Sequence, residues 1–357
     1  MAIIDTFSYD DIGAIADVLK IGWTNHDNGG WHAAGSGAGP NAPRTGLNYI
    51  GFNTGGLGSD LWRTGGGTGD TYYEYGGIAT GIAWDNTLST EYFLGFMESL
   101  ANDYHLTLKL NGTGQIEVRR GTGTVLATSD FPGGLQNDVW YWMSFIFRIH
   151  DTLGTIWMQI NGVNVVHTAG AAMTGLDTRN GMTEGKFNQV SHGRIYLDDT
   201  HFLGGTSAET HLADGTKVYV KFPVNEGFHN GSFTPFSGTD ETDMIDEIGT
   251  PTASSDNISS STVNHKSTAT ISALGVTGTV NSVQITTHAQ KDVSGEVRGF
   301  KNIIRSGGSD FQGALEIFPS PGTLIARKDI WLQNPNGPVA WTVASVDAHE
   351  PGVQVTT

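Results

Sequence analysis

Apolar and polar positions alternate with a period of two along most of this chain, and the alternation breaks at glycine- and asparagine-containing turns. That period marks half-buried strands. Strand follows turn from about residue 45 onward, with apolar segments at 72–84, 91–99, 105–110, 114–120 and 125–128. Residues 139–149 (VWYWMSFIFRI) form the most apolar segment, and near-continuous apolar character predicts a central strand covered on both faces. The next two strands, 155–160 and 163–167, flank Asn161-Gly162. That dipeptide readily takes the positive φ angles of a two-residue hairpin turn. Trp140 and Trp157 fall in these segments and are expected in the core. Helical patterns are scarce: residues 10–20 carry a weak one, and 343–349 a short one with Thr342 as its N-cap.

The pattern changes after residues 194–203, the expected last strand of a first domain. Composition turns polar near 204–214, which sets the expected domains at 1–206 and 207–357. In the second, strands are expected at 217–224, 280–289, 296–305, 314–318 and 324–332. Residues 225–263 are polar and aperiodic, and read as a surface loop system. The predicted fold class is all-β: a jelly-roll sandwich followed by a second, smaller β-rich domain.

Composition sharpens this. Fifty of 357 residues are glycine, about twice the usual share, in keeping with many short strands joined by tight turns. The formal charge of −17 repels phosphate backbones, so nucleic acid is not an expected partner. No cysteine is present, which excludes thiol catalysis, disulfides and zinc–thiolate sites. No run has the length of a membrane span, and the start MAIIDTFSY has no signal-peptide character. An extracellular-looking surface rich in Gly, Thr, Ser and Asn then implies release by lysis, inside a virus particle.

Two stretches carry resemblances. Residues 140–170, with Ile156-Trp157-Met158-Gln159-Ile160-Asn161-Gly162-Val163, look like the core hairpin of laminin-G-like and concanavalin-like jelly rolls. Residues 301–310 (KNIIRSGGSD), 331–337 (WLQNPNG) and 340–353 (AWTVASVDAHEPGV) resemble a carboxy-terminal module of bacteriophage virion proteins. The second resemblance brings no catalytic residue. It implies a non-enzymatic virion structural protein, either a capsid decoration or tail-associated, docked on other virion proteins in many copies. Alternatives are a carbohydrate-binding host-recognition module facing a surface glycan, and a glycoside hydrolase.

Each alternative has candidate residues. Trp23, Trp31, His32 and Trp62 sit in glycine-rich segments read as loops, where exposed aromatics stack a sugar ring or a partner surface. Asp198 and Asp199 follow a strand and are candidate Ca²⁺ ligands at a sandwich rim. Adjacent carboxylates are also ordinary turn residues, and no other cofactor is expected. Glu241 to Glu247 fits the Glu-x-Asp-x-x-x-Glu spacing of a retaining glycosidase, but its polar surroundings read as a solvated loop. The twelve histidines show no His-x-x-x-His zinc spacing, and no Gly-x-Ser-x-Gly elbow occurs.

Overall fold

The computed structural model describes residues 2–7, 23–25, 31–33, 50–52, 60–63, 72–84, 92–98, 104–180, 186–187, 189–192, 195–205, 210–214, 216–245, 256–292 and 297–356, several of them, Trp23, Trp31, His32 and Trp62 included, by backbone alone. The weak helical pattern at 10–20 lies outside the described residues. The chain divides into two compact units, Met1–Val218 and Tyr219–Thr357. Both are built from antiparallel sheets, so the protein is all-β.

The first unit is a sandwich of two sheets of the jelly-roll kind. One runs, in hydrogen-bonded order, Val163–Val166, Gly154–Ile160, Tyr141–Arg148, Tyr75–Ala83, Ile195–Gly205, Ile50–Phe52 and Trp31–Ala33. Ala2–Phe7 also pairs with Ile195–Gly205, and Met173–Leu176 with Gly154–Ile160. The facing sheet runs Thr124–Thr128, Ile116–Arg120, Tyr104–Leu110, Tyr92–Met97, Gln189–His192, Asp60–Arg63 and Trp23–Asn25. Phe145 and Phe147 of the first sheet and Phe96 of the second meet in one core, with ring centroids 4.5 Å (Phe96–Phe147) and 5.8 Å (Phe96–Phe145) apart. Gly76 permits this packing, because a Cβ there would lie 2.0 Å from the Phe187 ring.

The apolar segment 139–149 becomes Tyr141–Arg148, a central strand paired on both sides, with seven of its eight residues buried. Asn161 (φ 50°) and Gly162 (φ 75°) form the expected turn between its neighbours. The tryptophans differ from expectation. Trp142 is fully buried, while Trp140 precedes the strand and is half-buried. Trp157 occupies an outward position of Gly154–Ile160, where burial alternates strictly. Its indole N–H donates to Asn164 Oδ1 at 2.8 Å.

The first unit extends past residue 206, and side-chain chemistry explains why. Trp142 and Ser144 face away from the sandwich core, yet both are buried. Trp142 Nε1 donates to the Leu212 carbonyl at 3.3 Å, and Ser144 Oγ lies 2.8 Å from His211 Nδ1. The Val218 N–H donates to Asp199 Oδ1 at 2.9 Å. Residues 210–214 and 216–218 thus cover the outer face of the sheet instead of leading away from it.

Burial lowers the His211 pKa to about 4. Its folded-state value lies below the unfolded one, so its contribution is complete above the ordinary 6.5 and is lost as pH falls toward 4. A displacement of that size is worth at most about 3 kcal/mol. His211→Gln is expected to flatten the dependence of unfolding free energy on pH across that window. A slope unchanged in the variant would assign the effect elsewhere.

The second unit is organised around a six-stranded sheet. Its order is Pro223–Glu226, Lys266–Ile271, Glu350–Thr356, Gly299–Ser306 and Ser309–Gln312, with Glu316–Ile317 also pairing Gly299–Ser306. Val283–Ala289 and Ile325–Trp331 form a separate two-stranded antiparallel sheet, and Ile285, Ile304, Trp341 and Val346 make a small core. The helix Val343–Asp347 starts at Thr342, whose side chain accepts from the Ser345 N–H at 3.1 Å while Ser345 Oγ accepts from the Thr342 N–H. The strand expected at 217–224 is found only at Pro223–Glu226; the Val218 N–H, which a ladder would use, donates instead to Asp199 Oδ1.

Candidate functional site

The four residues expected in aromatic loops lie on short strands and fall into two groups. Trp23 and Trp62 are direct register partners at the end of one sheet. Trp31 pairs with Phe52, and His32 with Gly51, at the end of the other. The loop reading is corrected by this pairing. Aromatic residues suit a pleated surface, and the glycines around them obscure strands of only three or four residues.

Asp198 and Asp199 are also placed differently from expectation. They lie inside Ile195–Gly205, fully buried, where the register with Tyr75–Ala83 shifts between Asp198 and His201. Asp199 has φ 48°, so one extra residue bulges here. Thr80 Oγ1 donates to the Asp198 carbonyl at 3.0 Å, and Asp198 Oδ1 accepts from the Asp199 N–H at 2.8 Å. The pair shapes a bulge and holds Val218, away from any strand end. Among the described residues, no group of three or more His, Asp or Glu is placed to hold a metal.

Glu241 is buried, which corrects the solvated-loop reading. One carboxylate oxygen accepts from the Phe233 N–H at 3.0 Å and the other from the Ser267 hydroxyl. It ties the 225–245 segment to the sheet. Asp246 and Glu247 lie outside the described residues.

The second unit carries exposed apolar side chains that sequence reading missed. Among the described residues, nine of fourteen exposed large apolar side chains belong to it, with Phe228, Phe236, Val297 and Val339 the most open. Phe228 is 65% exposed yet held firmly. Its N–H donates to Glu350 Oε2 at 2.7 Å, and the Arg305 guanidinium lies 3.7 Å from its ring centroid. Arg305 in turn donates to Asp310 Oδ1 at 2.8 Å. Lys266 Nζ and His229 Nε2 reach Asp310 Oδ2 at 2.7 and 2.6 Å. Burial alone would raise the Asp310 carboxyl, but these three hydrogen bonds overcome it and hold the pKa at about 2. An exposed ring resting on a fixed ionic lattice loses little freedom when a partner covers it.

Comparison with known proteins leaves the family open. No protein-family model matches the chain, and no curated protein matches it. Among solved structures, Trypanosoma rangeli sialidase in complex with the inhibitor DANA is 18% identical over 51% of this chain, with a TM-score of 0.32. This chain spans 30% of that sialidase's length. The N-terminal CBM22-1-CBM22-2 tandem domain from Paenibacillus barcinonensis Xyn10C is 11% identical, with a TM-score of 0.25, over 99% of this chain and 97% of that one. At these scores the likeness assigns no function, and the fold class rests on the sheets themselves.

Proposed function

We propose that this protein is a non-enzymatic structural component of a virus particle, a capsid decoration or tail-associated protein, held there by protein–protein contacts of its second unit. The observation that carries this reading is that, among the described residues, nine of fourteen exposed large apolar side chains belong to that unit, with Phe228 pinned at 65% exposure. Preorganised aromatic and Arg side chains are the typical anchors of protein interfaces. The resemblance of residues 301–310, 331–337 and 340–353 to a phage virion module supplies the kind of partner. In a symmetric shell or tail, the same surface residues meet the same neighbour many times. Glu241 and the Asp198–Asp199 pair are used in holding the fold, which supports a role without catalysis.

Gold-labelled antibody against this chain is expected to decorate purified particles in electron micrographs. Label over the head makes it a decoration protein, label at the tail a tail component, and unlabelled particles end the proposal. The double variant Phe228→Ala, Phe236→Ala is expected to fold and yet fail to enter particles, each ring contributing about 2 kcal/mol to the contact. Normal incorporation of the folded variant would move the docking surface elsewhere.

A further inference from the structure

The strand Tyr141–Arg148 ends at a cavity of about 240 Å³ that no part of the docking surface uses. Glu74, Arg148, His150, Asp151, Arg179 and Lys186 line it. Among the described residues, three cations meet two carboxylates here, in a chain with only 19 Lys and Arg and a formal charge of −17. A locally positive concave site on an acidic protein focuses its field on anions.

Its donors are fixed in advance. Arg148 Nε donates to Glu74 Oε1 at 2.6 Å, and its guanidinium lies 5.1 Å from the Tyr75 ring centroid. That orients the guanidinium plane and leaves the two Nη groups without a hydrogen-bond partner among the described residues. His150 Nδ1 accepts from the N–H groups of Thr152 and Leu153, each at 3.1 Å. A neutral ring so bound carries its proton on Nε2, which supplies one more donor. Arg179 Nη1 lies 3.4 Å from Asp151 Oδ2, and Lys186 forms no ion pair with a described residue.

The backbone beneath is stitched from several directions. Thr178 Oγ1 donates to the Arg148 carbonyl at 2.7 Å and accepts from the His150 N–H at 2.9 Å. The buried His105 ring lies against the Lys186 carbonyl at 3.1 Å through Nε2 and accepts from the Asn180 N–H at 3.4 Å through Nδ1. One buried imidazole therefore positions the chain beside Arg179 and at Lys186.

We propose that this cavity binds a carboxylate-bearing sugar residue, the hexuronate type of acidic saccharides. The two Nη groups of Arg148 match a carboxylate in fork geometry, with Lys186 as a second cation beside them. Glu74 and Asp151 serve as acceptors for sugar hydroxyls, and the same two charges oppose a phosphate dianion. The volume lies below that of sites for drug-sized ligands, which suits a single ring. The site is separate from particle docking, and it holds or fails independently of where the chain resides.

The test is isothermal titration of the intact chain with oligogalacturonate, a neutral oligosaccharide of equal length, and inorganic sulfate. Oligogalacturonate is expected to bind at least about tenfold more tightly than either comparison ligand. The variant Arg179→Gln, Lys186→Gln is expected to weaken that binding by about tenfold or more with an unchanged melting temperature. Lys109→Gln with Arg119→Gln, which removes two cations elsewhere on the same unit, is expected to leave it intact. Absence of uronate binding, equal binding of the neutral sugar or of sulfate, or equal loss in the control variant would each overturn the assignment. If the pocket variant melts earlier, competition by free galacturonate against the unmodified chain decides in its place: displacement supports the site, and no displacement overturns it.

Discussion

Replacing Phe147 with alanine is expected to lower the stability of the first unit by about 3–5 kcal/mol. Phe147 is 1% exposed, with ring centroids 4.5, 5.1 and 5.4 Å from those of Phe96, Phe187 and Phe145. Phe96 belongs to the facing sheet, so this ring is a contact that joins the two layers. Truncation loses the transfer free energy of the ring and leaves a cavity that neighbours on rigid strands refill poorly. Phe187 has little room to move, since it already sits over Gly76, within 2.0 Å of where a Cβ would stand. Denaturant unfolding followed by tryptophan fluorescence measures the loss. Val163→Ala, at a 55% exposed position, is the comparison and is expected to change little. A Phe147→Ala cost below about 1 kcal/mol would mean that the layers are not joined through these rings.

Asp310→Ala is expected to cost the second unit about 3 kcal/mol, because three cationic or titratable groups lose one shared acceptor. The carboxylate is only 13% exposed and ties together three segments of chain. Arg305 comes from Gly299–Ser306, Lys266 from Lys266–Ile271, and His229 from the loop that presents Phe228. The folded pKa of about 2 lies below the unfolded 3.8. The stabilisation is therefore complete above the unfolded value and is lost as pH falls through about 2. Asp310→Ala is expected to remove that acid-dependent part of the stability curve as well as lowering it at neutral pH. The check is denaturant unfolding of both proteins at neutral and acidic pH. Curves that stay parallel down to the lowest pH would mean Asp310 is not the titrating group. The lattice also holds Arg305 under Phe228, so particle entry is expected to fall with stability.

Much of the fold was legible locally. Alternation located the strands from Tyr75 to Val166, and Asn161-Gly162 set a hairpin because two successive positive φ angles are cheap for that dipeptide. Thr342 announced a helix start three residues before a side chain able to return the hydrogen bond. Lys266–Ile271 was missed. Its sequence, KSTATI, looks like loop, yet Ser267 and Thr268 are buried against Glu241 and Glu350. Polar side chains that meet buried carboxylates can occupy a central strand, and no periodicity signals that. The candidate sites were less legible still. The cavity takes Glu74, Arg148, Arg179 and Lys186 from four separate places in the chain, and the Phe228 lattice takes residues from five.

The sequence by itself determined the all-β class, the central apolar strand, the turn at Asn161-Gly162 and the cap at Thr342. Each depends on interactions within a few residues, or on the simple need to bury alternate side chains. Tertiary structure alone decided which strands pair. It set Ile195–Gly205 beside Tyr75–Ala83 and put the last strand, Glu350–Thr356, between Lys266–Ile271 and Gly299–Ser306. It also decided that polar residues 210–214 and 216–218 cover a sheet, and that charges scattered along the chain converge on Asp310 and on one cavity. Those outcomes come from main-chain hydrogen bonds and ion pairs between residues far apart, which carry no local pattern and exist only once the sheets have closed.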